Sequence, residues 1–311
     1  MRPMRIASLL PSATEIVADL GLADQLVAVS HECDFPRGVE VLPHATRSLI
    51  DPVTMTPAEI DAAVSRAARE GRSLYEVRSE VLEQARPDLI VTQGLCDVCA
   101  VSGATVAQSL ACDLRGPVAD AKVVALSGGD LEGIFADLEL VGRTAGAGDR
   151  AAQRVDALRR RWRSMAERPP QDTRPTAILL EWTDPPFTGG HWIPEMVEVA
   201  GGHHLLGDPG ETSARHPWEA IVEADPDLLL VAACGYGLEA NVELAEQVRQ
   251  RPEASRLRAV QEGRLWAFDA NAHFSRPGPR VVRGAELLAE VFAGREPPAQ
   301  QARRVTPARR C

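Results

Sequence analysis

Lysine is almost missing from this chain. Lys122 is the only one, so arginine carries the positive charge and Schiff-base chemistry is open at that single residue alone. Positive charge is also in deficit overall: 34 Lys and Arg stand against 44 Asp and Glu, a formal net charge of −10, which argues against a general electrostatic grip on nucleic acid or anionic lipid. No apolar run approaches the roughly 18 residues of a membrane-spanning helix, and the longest, Leu228 to Cys234, has the length of a strand. The first residues, running from Met1 through Arg5 into Ile6-Ala7-Ser8-Leu9-Leu10, lack the apolar core and cleavage site of a secretion signal, so a cytoplasmic location is expected. Six cysteines in 311 residues are too sparse for a disulfide framework.

What is present reads as an ordinary globular chain, 45% hydrophobic and 25% charged, long enough for two domains. Short apolar runs recur at Arg5 to Leu9, Gln25 to Val29, Asp88 to Thr92, Lys122 to Leu126, Thr176 to Glu181, Asp227 to Ala232 and Arg264 to Phe268. Each suits a buried parallel strand. Helical patterns fall between them, at Ser12 to Leu20, Thr56 to Glu70, Leu74 to Ala85, Gly103 to Ala111, Pro194 to Ala200, Val242 to Gln250 and Pro279 to Phe292. The alternation predicts an α/β protein of two Rossmann-like lobes. Between them Leu131, Ile134, Leu138, Val141, Val155, Leu158, Trp162 and Met165 keep helical spacing, which predicts one long connecting helix; Gly146 and Gly148 admit a two-helix hairpin instead. The expected organisation is a first lobe over 1–128, the connecting helix over 129–168, a second lobe over 169–294 and a disordered tail over 295–311.

In such folds the loops at the carboxyl ends of the strands form the ligand crevice. The first offers Ser12 as a helix cap with Glu15 three residues on. Later ones carry His31 and Cys33, then Gln93 and the Cys96-Asp97-Val98-Cys99 pair. In the second half the corresponding loops hold Trp182, Phe187, His191 and Trp192, then Cys234 and Tyr236, then His273 and Phe274. Aromatics are few in this chain, 4% of it, and their concentration here suggests a flat or bulky apolar ligand. Cys33, Cys96, Cys99 and Cys234 are candidate thiolate ligands for zinc or an iron–sulfur cluster, with redox use of the CxxC pair and plain buried thiols as alternatives. A nucleophile pair such as Cys33 with His31 or Cys96 with His191 has no oxyanion hole or third member, so a binding protein is favoured over an enzyme.

Several segments together resemble a known family. Ile6-Ala7-Ser8-Leu9-Leu10-Pro11-Ser12-Ala13-Thr14-Glu15, Ala85-Arg86-Pro87-Asp88-Leu89-Ile90-Val91, Pro194-Glu195-Met196-Val197-Glu198-Val199-Ala200-Gly201-Gly202 and Ala224-Asp225-Pro226-Asp227-Leu228-Leu229-Leu230, in this order around a long central helix, are similar to the helical-backbone (class III) substrate-binding proteins, and most to the vitamin B12-binding branch of ABC-transporter receptors. The resemblance implies two α/β lobes joined by one backbone helix, with cobalamin or a related corrinoid, haem or metal chelate held in the inter-lobe cleft. It places Ser8, Pro11, Ser12, His31, Gln93, Trp182, His191, Trp192, Tyr236 and His273 around that ligand. It also implies an ABC permease as partner, with Glu219 in the docking position of the second lobe and no clean counterpart in the Gln93 to Cys99 loop of the first. The alternative is a cytosolic metalloprotein or enzyme reusing the fold with a Cys/His-ligated zinc or iron–sulfur site.

Overall fold

Apolar triplets and quartets flanked by helix formers build two sheets. The computed structural model describes residues 2–52, 54–70, 72–94, 120–167 and 174–306. The chain divides into two compact units, one of residues 1–128 and 132–156, the other of 129–131 and 157–311.

In the first unit, β1 (Ile6–Ser8), β2 (Leu26–Ala28), β5 (Leu89–Gln93) and β6 (Lys122–Leu126) form a parallel sheet in the order β2-β1-β5-β6. Ile6, Ala7, Leu89, Ile90 and Val91 are fully buried, as strands covered on both faces require. A short antiparallel pair, β3 (Thr46–Ser48) with β4 (Tyr75–Val77), stands outside this sheet. It breaks the helix expected over Leu74 to Ala85, which begins only at Ser79. Tyr75 and Val77 are strand formers whose partners lie nearly thirty residues earlier, a pairing that no local period reveals.

The first helix, Pro11–Asp19, starts one residue before the expected cap. Pro11 occupies its first turn, Leu10 is the cap residue, and Ser12 makes no capping bond. The capping box is found instead at the next helix, Pro57–Arg69, where Thr56 accepts from the Glu59 amide and the Glu59 carboxylate takes the Thr56 amide. Gly21 stops the first helix as expected, at φ +67° with Leu22 N–H bonded to Val17 O at 3.0 Å.

The connecting helical pattern is two helices, Leu131–Thr144 and Gly148–Ala166. Gly146 at φ +73° ends the first, and Ala147 N–H closes back on Gly142 O at 2.7 Å, the left-handed stop that glycine adopts without steric cost. A Cβ on Gly142 would lie 2.3 Å from that of Ala151, so the two helices meet through a glycine that admits no side chain. The second helix runs from the first unit into the second between Asp156 and Ala157.

In the second unit the parallel strands β7 (Thr176–Thr183), β11 (Leu228–Val231) and β12 (Leu265–Phe268) form the centre of a seven-stranded sheet in which β8 (Pro186–Thr188), β9 (His203–His204), β10 (Ala214–Arg215) and β13 (Ala302–Val305) complete the edges. The path is β10-β8-β7-β11-β12-β13, with β9 on β7. The tail expected to be disordered is therefore structured as far as β13: Ala302 to Val305 pair antiparallel with Phe268 to Leu265, and Ala302 and Val305 are buried. The strand spans only four residues, with Ala302 and Val305 buried on either side of two arginines, so it shows no period that would stand out among the surrounding Pro, Gln and Arg.

Candidate functional site

At the carboxyl end of the first sheet a chain of hydroxyls runs inward. Ser8 Oγ donates to Leu10 O at 2.9 Å, and Thr14 Oγ1 donates to Ser8 Oγ at 2.8 Å. Thr14 has thus committed its one proton, so in its 3.0 Å contact with Cys33 Sγ the thiol is the donor. Cys33 is buried and holds its proton, which argues against its expected role as a thiolate ligand. Ser12, 1% exposed, has an Oγ with no hydrogen-bond partner. Gln93 ends β5 half-buried.

The loop after β2 carries His31, fixed at three points. Its backbone N–H donates to Thr46 Oγ1 at 3.2 Å, its Nδ1 lies 2.8 Å from the same oxygen, and its ring stands 5.7 Å from that of Tyr75, tilted at 43°. Burial, with His44 adding to it, holds its pKa below the usual imidazole value, so the ring is biased toward neutrality. Ser30 and Thr46, both buried, were not singled out from the sequence.

In the second unit the aromatic loops behave differently from one another. Trp182 and Tyr236 are half-buried, with ring centroids 5.7 Å apart at 40°, and lean on the core beneath β7 and β11. Tyr236 is held by its loop: Asn241, fully buried, accepts from Ala233 N–H at 2.7 Å and donates to Tyr236 O at 3.0 Å, while Asn271 donates to Gly235 O at 3.2 Å. Phe187 lies under the Arg215 guanidinium, 5.3 Å from ring to Cζ. Trp192 is 5% exposed and spends its indole N–H on Phe274 O at 2.8 Å, so it is a brace within this unit. His191 stacks on it at 5.7 Å with a left-handed backbone, φ +52°. His273 is buried and its Nε2 lies 3.3 Å from the Gln301 amide; burial first, then Arg280 and Arg283, lower its pKa to about 4.

One residue the sequence analysis passed over stands out here. Glu181 sits at a register shift in the pairing of β7 with β8, and burial raises its carboxyl to a pKa of about 7. Ser213 donates its hydroxyl to Glu181 Oε2 and accepts from Gly190 N–H at 3.2 Å. A glutamate at the end of a strand gives no sign in sequence of being enclosed.

Cys234 is exposed and Cys96 and Cys99 lie outside the described residues. Among the described residues no group of three or more His, Cys, Asp or Glu is placed to hold a metal ion, and no helix is long and apolar enough to cross a membrane. Glu219 is exposed in the first turn of helix Trp218–Ala224.

Comparison with known proteins adds relatives along nearly the whole chain. An uncharacterized ABC transporter substrate-binding lipoprotein of Bacillus subtilis is 24% identical, covering 93% of this chain and 79% of its own length. A vitamin B12-binding protein of Vibrio cholerae is 23% identical, covering 91% and 87%. Among solved structures, a periplasmic haem-binding protein of Pseudomonas aeruginosa superimposes with a TM-score of 0.71 at 20% identity, over 99% of this chain and all of that one. The periplasmic vitamin B12 binding protein of Vibrio cholerae gives 0.67 at 19%, over 93% and 96%. These likenesses show the helical-backbone (class III) fold. They also correct the cytoplasmic expectation, since a lipoprotein and periplasmic proteins point outside the cytoplasm. That expectation rested on the residues before Pro11, and mature exported proteins have lost their leader, so this stretch does not decide the compartment. The family model described as periplasmic binding protein matches residues 6–272, and the chain belongs to that family.

Proposed function

We propose that the protein is an extracytoplasmic substrate-binding protein of an ABC transporter and that its ligand is a metal tetrapyrrole, a corrinoid or a haem. The observation that carries this reading is the Trp182–Tyr236 pair, two large rings left half-buried at the carboxyl ends of β7 and β11 in a chain with few aromatics. Rings that a core does not need suit a broad, flat ligand. The brace of Asn241 and Asn271 holds Tyr236 in place before any ligand arrives, which spares ordering entropy on binding. Relatives named for vitamin B12 and structural neighbours named for haem support the same ligand class. Glu219 is the candidate contact of the second unit with permease arginines.

The test is titration of the purified protein with aquocobalamin and, separately, with ferric haem, followed by absorption and calorimetry. Saturable one-site binding of either is the expected result. Binding of neither, with the protein shown to be folded by circular dichroism, would overturn the reading.

A further inference from the structure

We infer that Gln301, in the segment that leads into β13, is a positioning residue for the Trp182–Tyr236 face: it fixes the short helix Ala270–His273, and that helix holds the Tyr236 loop. The inference rests on the tetrapyrrole reading and deepens it. All the residues involved belong to the second unit. Counting donors orients the Gln301 amide. Arg283, in the helix Val281–Phe292, offers only hydrogens, and it directs Nε and Nη2 at one Gln301 atom, at 3.2 and 2.8 Å. That atom is therefore the oxygen, Oε1. The amide nitrogen then faces His273 Nε2 at 3.3 Å, and His273 accepts from it. The imidazole has to be neutral to do so, and burial, with Arg280 and Arg283 nearby, keeps it neutral. Gln301 grips the same helix a second time through its backbone, where its carbonyl accepts from Asp269 N–H at 3.1 Å.

The short helix passes this constraint on to the aromatic face. Asn271 donates its backbone N–H to Tyr236 O and its side-chain amide to Gly235 O, each at 3.2 Å. Phe274 O, directly after the helix, accepts the Trp192 indole N–H at 2.8 Å. Behind the helix there is no slack, because a Cβ on Gly284 would lie 2.3 Å from His273 O. Arg283 is itself anchored, on Glu290 at 2.9 Å and on Glu286 at 3.4 Å. One turn of helix cannot hold its own position, and Gln301 ties it at both ends, at the cap residue Asp269 and at His273. The far end of β13 is attached elsewhere: Arg304 donates to the carbonyls of Gly263 and Glu262, which precede β12 and so lie at the opposite end of the sheet from Tyr236. The family match ends at residue 272, so Arg283 and Gln301 lie outside it.

The test combines hydrogen exchange of the Asn271 amide in the ligand-free protein, followed by NMR, with titration of aquocobalamin and of ferric haem. Gln301→Leu removes both side-chain ties and keeps the backbone pairing of β13, whereas Arg304→Ala loosens the same strand at its far end. Gln301→Leu is expected to speed Asn271 exchange at least about tenfold and to raise the Kd of the probe that the wild type binds at least about threefold. Arg304→Ala should leave both within about twofold of the wild type. Gln301→Ala carries the test if Gln301→Leu does not fold. Unchanged Asn271 exchange, or faster exchange with an unchanged Kd, would overturn the inference and leave the tetrapyrrole reading standing. Equal effects in the Gln301 and Arg304 variants would overturn it too, since the strand would then act through stability alone. Binding of neither probe by the folded wild type would overturn the tetrapyrrole reading and this inference with it.

Discussion

Trp182 and Tyr236, 54 residues apart in sequence, stand with ring centroids 5.7 Å apart and planes tilted by 40° because adjacent parallel strands deliver them to the same end of one sheet. Each leaves part of its ring uncovered. Trp182→Ala should therefore cost the complex about 1 kcal/mol or more, roughly a fivefold to tenfold rise in Kd for the tetrapyrrole, through lost stacking area. Calorimetric titration checks this. An unchanged Kd would show that the pair serves only to pack its own loops.

The parts of this chain that were legible in sequence are those set by local chemistry. Lys122 to Leu126 reads as a strand and is one, and Gly21, Gly146 and Gly201 act where a helix must stop. Gly146 shows the limit of that reading: the sequence admits a break there, yet the apolar period continues across it, and the positive φ decides between one helix and two. Ser12 and Thr56 present the same capping pattern, yet only Thr56 caps; Pro11 lets the first helix begin a residue early and moves Ser12 inside it. Elements that depend on a distant partner, such as β4 on β3 or β13 on β12, have too few residues to show a period. The same holds at the site: Trp182 and Tyr236 were readable as loop aromatics, whereas the enclosure of Glu181 and the contacts that fix His31 exist only after folding.

Ser12 offers a test of a buried group without a partner. Its Oγ is enclosed and makes no hydrogen bond, so Ser12→Ala removes a desolvated hydroxyl and substitutes a better helix former. Thermal unfolding should show a gain of up to about 1 kcal/mol. A loss of stability would mean that the hydroxyl is satisfied, by water for example. If Ser12 also faces the ligand, the same variant binds it severalfold more weakly.

Glu181 and His204 should tilt stability with pH in opposite directions. Glu181 is raised from 4.5 to about 7, first by burial, against which the Ser213 hydroxyl acts weakly. Between these values the folded protein keeps a proton that the unfolded chain has released, so stability falls as pH rises from about 4.5 to 7. His204 is lowered from 6.5 to about 4, again first by burial, and between those values the unfolded chain binds the proton, so stability falls as pH drops. Each effect is on the order of 3 kcal/mol across its full window. Urea unfolding of the wild type and of Glu181→Gln from about pH 4.5 to 7.5 separates them, since glutamine still accepts from Ser213. The wild type should lose stability relative to the variant as pH rises; parallel curves would show that Glu181 ionises as it does in water.

The last strand makes the carboxyl-terminal segment a structural element. Four residues of β13 pair with β12, Arg303 forms an ion pair with Glu239, and Gln301 joins Arg283, at 2.8 Å, to His273. Ending the chain at Arg295 would strip the edge of β12, uncover the apolar surface beneath Ala302 and Val305, and leave the buried His273 without its amide partner. Burial of the valine alone contributes about 1.5 kcal/mol, and loss of the ladder bonds adds to it. The truncated protein should therefore unfold at least about 2 kcal/mol more easily, and hydrogen exchange at Leu265 to Phe268 should quicken. A truncation that left both the unfolding midpoint and the exchange of β12 unchanged would contradict the pairing and return this segment to the status of a dispensable tail.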